Sequence, residues 1–392
     1  NAAMIDSSWA FVTSILLCAG LFPFLEKRLP WPIFKVLPSI VMTYLLVTAL
    51  SVLGFWNITE HVAASQKLIL GWLLPALMFL LLVSCDFKAI LALGPRILAG
   101  FACAVLSILT AITAVFWMMR SILPGDAWQT FASMGGGWIG GSANLVAVSQ
   151  ALNSSPNALS NALLTDTLCY SVWVLALFAS VPLQAAFNRR AKAVDMAAVI
   201  ATRGKQAPED LSAPAGMDIG LILLWLGVAM AAGNASSTIA TWMPTSEILS
   251  ASSWTLLLAT AFGLLASFTP LRRLAGSMAI ASALLAVVVA TIASKADFSG
   301  LTSAPWFVLS GFMILGLHGL MMLVAARLFR FDLALCGISS LACVGGVATT
   351  PLLAAAYSPV LAPVGVLLAM LGYALGTGGG LLLASIFRSM GV

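Results

Sequence analysis

Ten stretches of this chain are each long and apolar enough to cross a lipid bilayer as a helix, and nothing else in the sequence limits the fold as strongly. A helix rises about 1.5 Å per residue, so crossing a hydrocarbon layer about 30 Å thick takes roughly 20 predominantly apolar residues. Such runs lie near 9–25, 33–54, 67–85, 94–118, 160–187, 217–235, 251–268, 274–293, 302–326 and 361–387. Two further apolar segments, 127–152 and 333–357, are interrupted by glycine. Almost nothing of the 392 residues is left for a separate soluble domain. The chain is 8% charged, against roughly a quarter in a soluble domain. The expectation is an all-α polytopic membrane protein, with the lipid bilayer as its first partner.

Short cytoplasmic loops collect Lys and Arg, so the 18 basic residues test each way of counting crossings. If all twelve segments cross once, Lys27, Arg28, Lys35, Lys88, Arg96 and Lys295 share one side against twelve on the other. If 127–152 and 333–357 instead dip in and return, or cross an even number of times, fourteen fall on the cytoplasmic side. Only Lys67, Arg120, Lys295 and Arg388 then lie outside. This count predicts ten net crossings, both termini outside and 188–216 as a cytoplasmic linker carrying Arg203 and Lys205. The broken segments enter from opposite faces, so 1–187 and 217–392 become two inverted repeats of five transmembrane helices. Each repeat carries one glycine-broken re-entrant or discontinuous segment. Asn1-Ala2-Ala3 before Met4 reads as an appended remnant, no cleavable signal peptide is expected, and the first span serves as its own insertion signal.

The net charge of +5 is carried by the short loops, where membrane orientation accounts for it, so no nucleic-acid partner is expected. Cys18, Cys85, Cys103, Cys169, Cys336 and Cys343 fall in or beside apolar runs without paired ligand spacing, and read as packing residues. No Gly-x-x-x-x-Gly-Lys motif is present, so intrinsic ATP use is not expected, and neither is a cofactor beyond a coupling ion, Na+ or H+.

The two interrupted segments match each other. One reads Gly140-Gly141-Ser142-Ala143-Asn144 and the other Gly345-Gly346-Val347-Ala348-Thr349-Thr350, at a constant offset of 205 residues. Unwound carbonyls at membrane depth can coordinate a cation, and half-helix N-termini can hold an anionic group. Two such breaks brought together from opposite faces would form a site near the midplane. Gly140, Gly141, Ser142, Asn144, Gly345, Gly346, Thr349 and Thr350 are therefore the candidate residues for substrate and ion. Asp166, a carboxylate within a span among Asn161, Thr165 and Thr167, is costly in a membrane and joins them as a candidate coupling residue. Ser142, Asn144 and Asp166 are the candidate Na+ ligands. Gly372, Gly376 and Gly380 recur every four residues on one face of the last span and read as close helix packing. Asp86, Lys88, Arg327, Arg330 and Asp332 stand at span ends, where snorkelling accounts for them.

The stretch 140–148, the stretch 344–349 and the closing Gly372-Tyr373-Ala374-Leu375-Gly376-Thr377 resemble the bacterial membrane family labelled domain of unknown function 819. The resemblance spans nearly the whole chain and implies the bacterial inner membrane. Val347 departs from the proline the family would place there, which predicts a differently shaped second break. The five-plus-five plan is similar to that of sodium-coupled glutamate and citrate symporters. That similarity implies a homodimer with a static scaffold and a mobile, elevator-like body, and names no substrate. The leading expectation is not an enzyme but an ion-coupled secondary transporter for a small polar or anionic metabolite. A passive channel is one alternative, and an intramembrane serine hydrolase using Ser142 with His318 as base is another.

Overall fold

The computed structural model describes residues 5–29, 39–202, 218–246, 249–295 and 304–391. Lys35, Arg203 and Lys205 of the charge count, the start of the 33–54 run and residues 203–216 of the 188–216 linker lie outside the described residues. Among the described residues sixteen α-helices follow one another: α1 (Ser8–Arg28), α2 (Ser39–Val52), α3 (Glu60–Val83), α4 (Phe87–Ala92), α5 (Pro95–Met119), α6 (Ala127–Ala151), α7 (Pro156–Ser180) and α8 (Gln184–Ala191). Then come α9 (Met196–Thr202), α10 (Ile219–Ala240), α11 (Ala251–Ala266), α12 (Ser277–Ala293), α13 (Ala304–Phe329), α14 (Leu333–Val344), α15 (Gly346–Tyr357) and α16 (Ala362–Ser389). Among the described residues, seven helices or continuous helical stretches are long and apolar enough to cross a membrane, and α2, α11, α12 and α14 are shorter and also apolar.

Capping chemistry sets boundaries that the apolar runs leave open. The Thr59 hydroxyl accepts the N–H of Val62, so α3 begins at Glu60 rather than near 67 and draws His61 into its first turn. Ser155 accepts the N–H of Ala158 ahead of Pro156, a residue suited to a first helical position. That start puts Asp166 near the middle of α7 instead of its first turns.

The helices sort into two bundles. One contains α1, α2, α3, α10, α11 and α12, and the other α5, α6, α7, α13, α14, α15 and α16. At the centre of the first, α3 is buried without a gap from Leu74 to Val83, as expected of a helix that is apolar on every side. The halves of the sequence interleave here, because α10 and α11 pack on α3 while α1 and α2 pack on α12. Gly263 of α11 is needed at this crossing, since a Cβ there would lie 2.5 Å from the Phe79 carbonyl oxygen. Contact between the bundles is sparser than within them and runs mainly through α11, α3 and α12 against α6, α16 and α7. Tyr44 Oη with Ser160 Oγ (2.5 Å) and Ser250 Oγ with the Ala151 carbonyl (3.3 Å) are polar contacts across that boundary.

The linker is folded where it is described. Asn188 Oδ1 accepts the N–H of Leu333, the Val194 N–H reaches the Arg330 carbonyl, and the Met196 N–H reaches Asp332 Oδ2. Asp332 is fully buried and also caps α14 through the Leu335 N–H. Snorkelling therefore does not account for Asp332; it fastens the linker to the base of α14.

Candidate functional site

Both glycine pairs break their helices at the second glycine, but the first glycine is non-helical in one pair and helical in the other. Within α6, Gly140 (φ −137°, ψ 18°) and Gly141 (φ 77°, ψ 174°) leave helical geometry. Between α14 and α15, Gly345 has φ −108° and Gly346 has φ 65°. The second glycine of each pair is thus left-handed, a conformation that a Cβ disfavours. Carbonyls freed by a break need other donors, and the side chain four residues on supplies one in each case. Asn144 Nδ2 donates to the Gly140 carbonyl (2.6 Å) and Thr349 Oγ1 to the Gly345 carbonyl (3.0 Å). Thr350 Oγ1 does the same for Gly346 (2.6 Å).

Each broken segment doubles back on itself. A Cβ on Gly136 would meet Val148 Cγ2 at 2.7 Å, whereas twelve residues of straight helix span about 18 Å. A Cβ on Gly337 would lie 3.0 Å from the Tyr357 hydroxyl, twenty residues and about 30 Å away along a straight helix. Side chains tie the ends of the first hairpin together: Ser155 Oγ donates to Asp126 Oδ2 (2.6 Å), and Thr130 Oγ1 donates to the Ala158 carbonyl (3.1 Å).

The two tips meet on α16. A Cβ on Gly372 would stand 2.5 Å from the Ile139 carbonyl oxygen and 3.3 Å from that of Ala342, so both first arms end against this residue. The neighbouring Tyr373 ring lies 3.0 Å from where a Gly141 Cβ would be, and its hydroxyl 3.3 Å from that of Gly346. Asn144 Nδ2 also donates to the Tyr373 carbonyl (3.2 Å), and Thr377 Oγ1 donates to Asn144 Oδ1 (2.5 Å). Gly376 and Gly380 admit the Gly136 and Ala132 carbonyls, which is the close packing expected of this glycine face. The first hairpin opens toward the C-terminal end of α16, where Arg388 lies over the Trp128 ring. The second opens toward its N-terminal end, since α15 leads into α16 through the turn Pro359–Leu361.

One face of α7 lines the same region. Asp166, Tyr170 and Trp173, spaced four and three residues apart, share that face. Trp138 Nε1 donates to Asp166 Oδ1 (2.7 Å), the Tyr170 hydroxyl to Thr349 Oγ1 (3.2 Å) and Trp173 Nε1 to Ser340 Oγ (2.9 Å). Asp166 is half-buried, and beside it the Thr165 hydroxyl is buried without a partner. No Lys, Arg or His occurs in α6, α7, α14 or α15, and α16 carries only Arg388.

The structure thus brings Gly140, Gly141, Asn144, Gly345, Gly346, Thr349 and Thr350 to two adjoining tips and ties Asp166 to the first arm through Trp138, two residues before Gly140. Ser142 is half-buried at the start of the second arm of α6. Asn144 differs from the expected free ligand: its amide is committed to Gly140, Tyr373 and Thr377, which makes it a staple between hairpin and α16. The groups suited to a cation are the second oxygen of Asp166, the Ser142 hydroxyl and the tip carbonyls. Among the described residues no three His, Cys, Asp or Glu side chains gather as a metal cluster. His318 bonds to Ser107 and Ser340, not to Ser142, so the imagined Ser142–His318 dyad is not assembled. Sequence reasoning missed Tyr373, Thr377, Trp138 and Tyr170. The available signal was the placing of Tyr373 and Thr377 directly after Gly372 and Gly376.

Fold and site together define a multi-pass, all-helical membrane protein built around two helix breaks. The family described as protein of unknown function, DUF819, matches residues 13–390, and the chain belongs to it. No curated protein matches the chain.

Proposed function

We propose that the protein is a secondary active transporter, coupled to Na+ or H+, that moves a small polar or anionic metabolite across the bacterial inner membrane. The observation that carries this reading is the meeting of two glycine-broken hairpins on the single stretch Gly372–Thr377. Taken as re-entrant segments from opposite faces, the hairpins leave ten crossing helices, α1, α2, α3, α5, α7, α10, α11, α12, α13 and α16, and make the halves inverted repeats. Adding 205 to the bounds of α6 gives 332–356, and to those of α7 gives 361–385, against 333–357 for α14 with α15 and 362–389 for α16.

Such a site handles both charges. Tip carbonyls favour a cation, and the N-terminus of each second arm, worth about half a positive charge, favours an anionic group. Asp166 takes the coupling ion. The sparse boundary between the bundles supports an elevator-like motion, in which the hairpin-bearing bundle travels against the bundle centred on α3, and that scaffold forms the homodimer contact.

Thermal stability of the purified protein in sodium, potassium and choline buffers tests the reading, followed by a metabolite library in the better salt, since a ligand of the folded state raises the melting temperature. A sodium-specific rise that is lost in Ser142→Ala and Asp166→Asn supports Na+ coupling. Stabilisation that varies with pH and vanishes in Asp166→Asn supports H+ coupling. A protein indifferent to sodium, pH and every metabolite refutes the transporter reading.

A further inference from the structure

The second hairpin is held by a polar chain that its counterpart lacks. All twelve residues of α14 are buried, most of them apolar. Asp332 and Asn188 tie down the base of α14, and a directional anchor nearer the tip lies at Ser340, five residues before Gly345. Ser340 Oγ is bonded to His318 Nε2 (2.8 Å) on α13 and accepts Trp173 Nε1–H (2.9 Å) from α7. His318 Nδ1 is bonded to Ser107 Oγ (2.7 Å) on α5, and Ser107 donates its own proton to the Ala104 carbonyl (2.8 Å).

The protons can be assigned from the two ends of the chain. Indole N–H can only donate, and the Ser107 proton is used on Ala104. One arrangement gives every proton an acceptor: Trp173 N–H to Ser340, Ser340 O–H to His318 Nε2, and His318 Nδ1–H to Ser107. The imidazole is fully buried, the Trp173 ring lies 5.8 Å from it, and Gly319 leaves room for that indole, since a Cβ there would meet it at 2.8 Å. At the positions 205 residues away in the matched segments, Gly135 stands in place of Ser340 and Gly378 in place of Trp173, neither with a side-chain donor or acceptor. No such chain can form there, and the first hairpin is held instead by its glycine packing on α16, by the Asn144 bonds to Tyr373 and Thr377 and by Trp138 on Asp166.

We infer that His318 is the positioning residue of the second hairpin, holding α14 in one rotation against α5, α7 and α13 through Ser340. The proposal rests on the transporter reading for its purpose but not for its test, because the test reads local opening rather than transport. Native thiols report on it: Cys336 and Cys343 lie on α14, and Cys85 is buried at the end of α3 in the other bundle. Full-length protein in detergent is labelled with N-ethylmaleimide well below its melting temperature, and each cysteine is followed by peptide mass spectrometry. In Ser340→Ala, which removes one hydroxyl and leaves no large cavity, Cys336 and Cys343 are expected to label at least tenfold faster, about 1.4 kcal/mol of opening, with Cys85 unchanged. His318→Ala should match it, and His318→Gln, which keeps a donor and an acceptor, should recover part of the protection. Unchanged labelling on α14, or Cys85 rising in step with it, overturns the proposal.

Discussion

Alanine at Gly140 and at Gly345 makes the same chemical change at matched points of the two hairpins, yet the neighbours differ. At Gly140 the added Cβ would sit 2.7 Å from the Gly372 carbonyl oxygen and collide with the Asn144 amide. The first obstacle is backbone in the most tightly packed helix pair, and moving the second disrupts bonds to Gly140, Tyr373 and Thr377. Overpacking costs about 1–3 kcal/mol and a displaced buried amide about 1–3 kcal/mol more, which puts Gly140→Ala near 4 kcal/mol. At Gly345 the Cβ would meet Thr349 Oγ1 at 2.5 Å and Leu341 Cδ1 at 2.6 Å, side-chain atoms rather than backbone, and displacing the hydroxyl gives up its bonds to the Gly345 carbonyl and the Tyr170 hydroxyl, about 1 kcal/mol. Gly345 is also in a helical conformation, where alanine regains up to about 1 kcal/mol, so with overpacking of about 2 kcal/mol the net cost is about 2 kcal/mol. At roughly 2 °C per kcal/mol for a chain of this size, Gly140→Ala should melt about 8 °C below wild type and Gly345→Ala about 4 °C below. Tryptophan fluorescence during thermal unfolding in detergent measures both. Equal losses, or a larger one at Gly345, would refute the claim that α16 backbone fixes the first tip.

Gly141→Ala and Gly346→Ala place a Cβ in left-handed backbone, so each should lose about 1–2 kcal/mol, with asparagine tolerated better than alanine at both sites by melting temperature. Asp332→Ala removes a cap and strands the Met196 N–H, an expected loss of about 2–4 kcal/mol, and limited proteolysis should show the 188–202 segment cut faster than in wild type. Burial pushes the Asp86 carboxyl up, but the Ala89 N–H and the Arg272 guanidinium (2.5 Å) outweigh it and hold the group below its usual range. Its folded value being depressed, its stabilisation is present above about pH 4 and lost only as the pH falls below that. Both partners are partly exposed, so Asp86→Asn should cost under about 1 kcal/mol and the difference from wild type should stay flat between pH 5 and 8.

Helix positions were legible because apolar length is a one-dimensional quantity, and the breaks were legible because paired glycines followed by polar residues stand out in apolar sequence. Asn144 and Thr349 were found for that reason, but not what they do: a side chain that turns back to its own helix carbonyl looks the same in sequence as one that faces a ligand. Tyr373 and Thr377 went unread as site residues because their importance comes from two hairpins touching one helix, which only the three-dimensional arrangement supplies. Asp332 shows the same limit from the other side. A charged residue at a span end has an adequate explanation in solvation, and only the burial of its carboxylate against Met196 and Leu335 reveals the fastening.

The interleaving of the two halves around α3 and α12 bears on how the chain is made. When residues 1–187 have entered the membrane, α3 with its stripe Leu74–Val83 still lacks α10, α11 and α12, the three later helices that pack on it, and α1 and α2 have no α12 to rest on. The nascent protein must therefore keep its first helices loosely gathered until residues 219–293 arrive. A membrane insertase that sheltered α3 during that interval would act as a chaperone for this chain.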